Sequence, residues 1–542
     1  MNRSLLNTIL SLRKLEIKSK YLIEESIALW KQHGHLNCII EYNEKDALDK
    51  AAEVDIKLAN LSSSDSLPID EILLGVPISI KDNFCMENYH TTAASRMLET
   101  FKSPYDATIV SLIKRHGGIP CAKTNMDEFG MGSTSTNSIH GAVISPIKSS
   151  SSSSLSSSSL SAGGSSGGAA VAVVSNIVSA AIGSDTGGSV RQPASFTGLF
   201  GFKPSYGTLS RYGLLSYASS MDTPGIITHN AIDAAILYDM INEYDSKDST
   251  SDKNIQRTNA LHHILNNNNK NSVVTNNNTS NTTTLADLES LSLLTAKSSS
   301  LSLEGVVVGV PEEVWVEGLD DNVSTAIMIT IDQLEKQGAH VIPVKTPLLK
   351  AALPCYYVLA CAEASSNLMR YDGVRYGYRA TTNTTSNNSL HNDTDTITSL
   401  TSFQQEVSHT RGEAFGSEVI RRILTGTFVL SESQASDYYD TACTVRKQIT
   451  SQLNHVMTNV DVLLLPTVSK PPFSADNLPD NATMLLYDAF TVPANLAGLP
   501  AVSIPISNDV INTPIGIQLM GKIGTDAELL RISTSIEQKL IE

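Results

Sequence analysis

Apolar residues recur at helical spacing between residue 4 and about residue 55, with Leu5, Ile9, Leu12, Leu22, Ile27 and Leu29 as contact points, and this period predicts two helices. Short apolar runs follow at 73–80, 118–123, 180–184, 306–310, 340–344, 460–466, 501–506 and 514–519, each the length of a strand. Amphipathic helical runs alternate with them, for example at 107–116, 321–337 and 527–541. Strands alternating with helices predict an α/β fold class, with a large parallel or mixed β-sheet covered by α-helices on both faces. We expect one domain over residues 1–542.

Four segments break the pattern because they hold too few apolar residues to build a core: the nearly pure serine run 149–161, the asparagine-rich 246–300, 381–401, and the shorter turn-rich 470–481. The first three are expected to be disordered low-complexity inserts. Lys and Arg total 39 against 55 Asp and Glu, a formal charge of −16, which argues against a large basic face gripping nucleic acid unaided. Any such partner is then held mainly by another subunit. The six cysteines, Cys38, Cys85, Cys121, Cys355, Cys361 and Cys443, form no CxxC pair and no metal-ligand spacing, so neither a disulfide nor a structural metal is expected. No apolar run approaches the roughly 20 residues of a membrane span. The first fourteen residues are basic, acid-free and amphipathic, which fits a mitochondrial presequence and equally the first helix of the fold.

Three short stretches carry the candidate chemistry. Lys81 ends the apolar run GVPISIKD at 75–82, and two glycine-serine loops follow, GGSSGG at 163–168 and GSDTGGS at 183–189. A serine hydroxyl is a weak nucleophile unless a base takes its proton, and a lysine is such a base only when desolvation keeps it neutral. Val76, Pro77, Ile78 and Ile80 supply a dry setting, and glycines beside both serines let backbone N–H groups turn toward an oxyanion. The residues thus suggest acyl transfer without histidine.

Each stretch also has a plainer reading. A lysine beside an apolar run usually has a solvated head. A Ser/Gly run is usually a linker, although AAVAVV at 169–174 directly after the first loop argues for order there. Gly163-x-Ser165-x-Gly167 also fits a nucleophile elbow, which needs a strand just before it where this chain has a serine tract. GIQLMGK at 516–522 has phosphate-loop spacing, but Ile523 stands where Ser or Thr would ligate magnesium, so it reads as a strand.

The stretch from Gly163 to Pro204 resembles the signature of the amidase-signature enzymes. The resemblance implies Ser189 as the acyl-forming nucleophile, Ser165 as a cis-serine that passes the proton, and Lys81 as the base. KTNMDEFGMGS at 123–133, SYGTLSRYG at 205–213, EASSNL at 363–368, RYDG at 370–373 and FTVPANLAGLP at 490–500 are similar to the A-subunit family of the glutamyl-tRNA(Gln) amidotransferases. That likeness implies a glutaminase passing ammonia to a B subunit, which uses ATP and Mg to convert Glu-tRNA(Gln) to Gln-tRNA(Gln), with a C subunit completing a heterotrimer.

No cofactor is expected on this chain, and the tRNA is expected to be held mainly through the B subunit. The resemblance also places Thr186, Gly187 and Gly188 at the oxyanion hole. Met131, Gly132, Ser133 and Tyr357 would line the glutamine pocket, Arg422 would meet the α-carboxylate and Asp488 the α-ammonium. Asp185 and Arg191 flank the nucleophile and brace its loop. The chain departs from the family pattern at Ala93-Ala94-Ser95, and the usual residues before the first serine loop are replaced by the serine tract. The rival readings are a free-standing amidase and a non-catalytic structural subunit. The mitochondrial matrix is the expected location, with plastid or cytoplasm as alternatives.

Overall fold

The computed structural model describes residues 3–60, 71–148, 159–266, 285–296, 302–316, 318–380, 401–508 and 511–541. Eleven strands form one mixed sheet: β1 (Ile39–Tyr42), β2 (Pro77–Lys81), β3 (Ile119–Thr124), β6 (Ala180–Asp185), β7 (Phe200–Lys203), β8 (Thr223–Thr228), β9 (Val307–Pro311), β10 (His340–Val344), β11 (Val462–Pro466), β12 (Ala501–Asn508) and β13 (Ile511–Gly521). Two more, β4 (Ile144–Lys148) and β5 (Ser159–Ser161), make a separate antiparallel pair. The order across the large sheet is β1-β3-β2-β6-β8-β7-β12-β13-β11-β9-β10. Strand β2 runs parallel to β3 and β6, β9 runs parallel to β10 and β11, and antiparallel pairs join these two groups.

Both faces of the sheet are covered, and the alternation of side chains along the strands shows it. Ile182 and Ile226 enter one buried apolar cluster, whereas their neighbours Ala181 and Ile227 enter another on the opposite face. All eight expected strands are present, including the one at 514–519, which lies inside β13. Five strands were not anticipated. Strands β7 and β8 carry glycine or proline that reads as turn signal. Strand β1 hides in the window of helical spacing.

Several expectations need correction. Residues 4–55 hold three helices, Leu5–Arg13, Ser19–Gln32 and Glu44–Ala59, with β1 between the last two. The first helix is built into the core: Leu5, Leu6, Ile9 and Leu12 are buried, and Asp233 accepts the N–H groups of Leu5 (2.8 Å) and Leu6 (2.9 Å). Those residues serve the fold, as the second of the two readings of the N-terminus required.

Within 246–300, the helices Ala260–Asn266 and Leu285–Ala296 are ordered, because Ala260, Leu261, Ile264, Leu288 and Leu291 bury their side chains in the main cluster. Residues 267–284 and 297–300 of that segment lie outside the described residues, as do 149–158 and 381–400. The end of the serine tract is strand β5, and its Ser161 N–H donates to Phe473 O (2.8 Å) in the turn-rich 470–481 segment. All six cysteines are free thiols. Among the described residues no helix is long and apolar enough to cross a membrane.

Candidate active site

Strands β2 and β6 lie side by side with Ile80 opposite Ile182, so their C-terminal ends bring Lys81 and Ser184 to the same edge of the sheet. Lys81 Nζ donates to the hydroxyls of Ser165 (2.7 Å), Ser166 (2.8 Å) and Ser184 (3.0 Å). Lys81 is wholly buried and the three serines are at most 4 % exposed. Burial pulls the amine down from 10.5 to about 7, outweighing the opposing attraction of Asp127, Asp185 and Asp222. The dry lysine expected from Val76, Pro77, Ile78 and Ile80 is therefore present.

Ser165 follows a cis peptide from Gly164. A side chain at Gly164 would fall 2.2 Å from Asp127 Oδ2 and 2.6 Å from the Thr134 nitrogen, so the backbone there comes too close for any other residue. Asp127 accepts the N–H groups of Ser135 (2.8 Å), Asn137 (3.1 Å) and Thr134 (3.3 Å), and burial raises its carboxyl to about 6. Strand β5 does precede the first loop, as an elbow would need, but it lies outside the large sheet and Ser165 meets a lysine.

Ser189 is partly exposed, and its carbonyl accepts the Ser166 N–H (3.1 Å), tying the two serine loops together. The structure thus joins Lys81 to Ser165 through side chains and brings Ser189 to the same junction through the backbone. Beneath the loop, Arg191 donates to Asp185 through Nε (3.0 Å) and Nη2 (2.8 Å), to Asn495 Oδ1 (2.6 Å) and to Gln518 Oε1 (2.5 Å). Although burial opposes it, the Arg191 guanidinium and its hydrogen bonds hold the Asp185 carboxyl well below the usual range. These two residues brace the loop as expected.

The oxyanion-hole expectation holds less well. The N–H of Gly188, at φ +131°, donates to Asp185 Oδ1 (2.9 Å), so it is already committed to bracing the loop. Thr186 anchors the loop through Oγ1 to Asp222 Oδ1 (2.6 Å), and Gly187 accepts the Thr491 hydroxyl (2.6 Å). The signal that Gly188 would be occupied was the aspartate three residues earlier, which caps the turn.

Of the expected pocket residues, Gly132, Ser133, Tyr357 and Arg422 line a cavity of about 390 Å³ together with Glu418 and Met484 among others, while Met131 and Asp488 do not line it. Ser133 donates to both oxygens of Asp488 (3.2 Å each), and the Tyr357 hydroxyl donates to Asp488 Oδ2 (2.7 Å). Burial raises the Asp488 carboxyl to about 6 in spite of these bonds and of nearby Arg422. Arg422 lies over the rings of Tyr357 (5.3 Å) and Tyr217 (5.5 Å), donates to Glu418 Oε1 (2.6 Å) and bonds the Tyr217 hydroxyl. A cation and an anion thus flank one tyrosine. Met131 is fully buried behind this wall, its N–H on Glu128 O (2.9 Å).

Sequence reasoning missed Ser166, Ser184, Asp127, Tyr217 and Glu418. Glu418 was legible as the acid one helical turn before Arg422, and Ser166 as the neighbour of Ser165. Tyr217 carried no local signal.

Fold and site together define the class: the chain belongs to the Amidase family, the amidase-signature enzymes, whose model matches residues 22–286 and 272–530. Within that family, it is 37 % identical over 530 residues to the A subunit of the glutamyl-tRNA(Gln) amidotransferase of Legionella pneumophila (strain Paris), covering 97 % of this chain and 95 % of the relative. The corresponding protein of Orientia tsutsugamushi (strain Boryong) is 36 % identical over 531 residues, covering 98 % of this chain and 95 % of the relative. The crystal structure of the A subunit of the Thermotoga maritima glutamyl-tRNA(Gln) amidotransferase superposes with a TM-score of 0.69 at 33 % identity, over 96 % of this chain and 91 % of that one. A bacterial aryl acylamidase, 19 % identical with a TM-score of 0.74 over 99 % and 96 % of the two chains, shares the fold.

Proposed function

We propose that this chain is the glutamine-hydrolysing A subunit of a glutamyl-tRNA(Gln) amidotransferase. The observation that carries the reading is the wholly buried Lys81 amine 2.7 Å from the Ser165 hydroxyl. Ser189 attacks the side-chain amide carbon of glutamine while Ser165 takes its proton and Lys81 takes one from Ser165. The tetrahedral intermediate collapses, and protonated Lys81 returns a proton through Ser165 to the leaving ammonia. Water then releases glutamate from Ser189. The α-carboxylate of glutamine pairs with Arg422 and its α-ammonium with Asp488, a reading supported by the way these two opposite charges both contact Tyr357, a residue of the cavity wall. Thr186 and Gly187 remain in the oxyanion role. Gly188 joins them only if Asp185 releases its N–H.

Ammonia passes to a B subunit, where ATP and Mg act on Glu-tRNA(Gln), and a C subunit completes the heterotrimer. This chain holds no cofactor in that scheme, and its charge of −16 supports tRNA being held by the B subunit. The whole chain acts as one amidase-signature domain in the mitochondrial matrix, the basic, acid-free N-terminus serving as the address while its first helix stays part of the core. The test is co-purification with the partner subunits, followed by glutamine hydrolysis and conversion of Glu-tRNA(Gln) with glutamine as nitrogen donor. A complex that hydrolyses glutamine equally well with Lys81→Ala would overturn the mechanism. An active chain that co-purifies with no partner and amidates no tRNA would point to a free-standing amidase.

A further inference from the structure

Lys81 has two hydroxyls around it besides that of Ser165, with which it exchanges the proton, and both are informative. A neutral amine has two N–H donors and one lone pair. To take the Ser165 proton, the lone pair must face Ser165 and both N–H groups must be turned elsewhere. Ser166 is one acceptor: its own hydroxyl hydrogen goes to the Ser184 carbonyl (3.3 Å), so its oxygen is left to receive from Lys81. Ser184 is the other, and Asn83 Nδ2 donates to its hydroxyl oxygen (3.0 Å). Asn83 lies two residues past Lys81, is 3 % exposed, and is pinned by the Leu215 N–H on its carbonyl (2.8 Å). Its Oδ1 is buried without a hydrogen-bond partner among the described residues. A residue that only filled space here would be better replaced by leucine, which leaves no polar atom unpaired.

We propose that Asn83 is a positioning residue for proton transfer: it fixes the Ser184 hydroxyl, and Ser184 then holds one Lys81 N–H away so that the lone pair faces Ser165. This rests on the reading of Lys81 as the base. The charged groups acting on Lys81 are Asp127, Asp185 and Asp222, and substituting the neutral Asn83 removes none of them.

The test is a double-mutant cycle in the assembled complex, with Asn83→Ala, Ser184→Ala and the pair, reading kcat/KM for glutamine against pH together with the thermal midpoint. Each single variant is expected to lower the plateau about tenfold, the value of one lost hydrogen bond. The pair should be no worse than Ser184→Ala alone, because Asn83 acts through that hydroxyl. Both singles should also move the acid limb to lower pH, since the charged lysine loses a fixed acceptor. Losses that multiply in the pair, or a lowered plateau with an unmoved limb, would overturn the proposal. Should Asn83→Ala not fold, Asn83→Ser enters the same cycle with the same criteria. Failure of the cycle leaves Lys81 as base intact, whereas turnover retained by Lys81→Ala removes the ground for both.

Discussion

The pH dependence of glutamine hydrolysis tests the buried base most directly. At pH 7.5 a lysine titrating at its ordinary 10.5 is neutral in about one molecule per thousand, whereas one held at about 7 is neutral in about three quarters of them. The difference arises because the Lys81 amine has no solvent around it, only serine oxygens and three carboxylates that fail to offset the lost hydration. With the lysine as base, kcat at saturating glutamine should rise with pH through about 7 and fall about tenfold per pH unit below that. Saturating substrate matters, because the Asp488 carboxyl also titrates, at about 6, and its protonation acts on binding. The assay is glutamate release by the assembled complex between pH 5.5 and 9. A rate still climbing tenfold per pH unit at pH 9, or a profile flat down to pH 5.5, would refute the assignment of Lys81 as a neutral base.

Two further substitutions separate binding from scaffold. Asp488→Asn, with its amide oxygen where Oδ2 stands, keeps one bond each from Ser133 and Tyr357 but removes the charge facing the α-ammonium, so KM for glutamine should rise about ten- to a hundredfold with kcat little changed. Equal losses in kcat and kcat/KM would instead place Asp488 in the chemistry. Arg191→Met leaves the Asp185 carboxylate buried without its partner and should lower unfolding stability by about 3–5 kcal/mol, measured by urea denaturation. Unchanged stability would show that Asn495 and the backbone N–H groups of Gly188 and Val190 suffice to hold that carboxylate.

The readable part of this protein was the part whose physics is local. Short apolar strands such as β9 and β11, and the helix Asp321–Lys336, stood out by pattern alone. Lys81 and the two serine loops could be joined because an apolar run predicts burial, and burial dictates what a lysine can do. Distance along the chain hid the rest: Tyr217 reaches Arg422 across 205 positions, and Arg191 reaches Gln518 across 327. Gly188 misled for a related reason, since a glycine beside a nucleophile signals free backbone, and only the folded loop shows that Asp185 has taken its N–H. The helices inside 246–300 were missed because a few well-placed leucines are diluted by asparagine and serine.

Lys148 and Ser159 stand opposite each other in the β4–β5 pair, so residues 149–158 connect two positions the ladder already pins. Doubling the length of a connection between fixed ends costs only about 0.6 kcal/mol. Residues can therefore be added there at little cost in stability, because Ser161, beyond the connection, is held by its N–H on Phe473 O and itself accepts the Gly163 N–H (3.1 Å). Cutting the tract to a short turn should leave kcat and KM unchanged. The neighbourhood of a catalytic loop is in this way open to neutral growth.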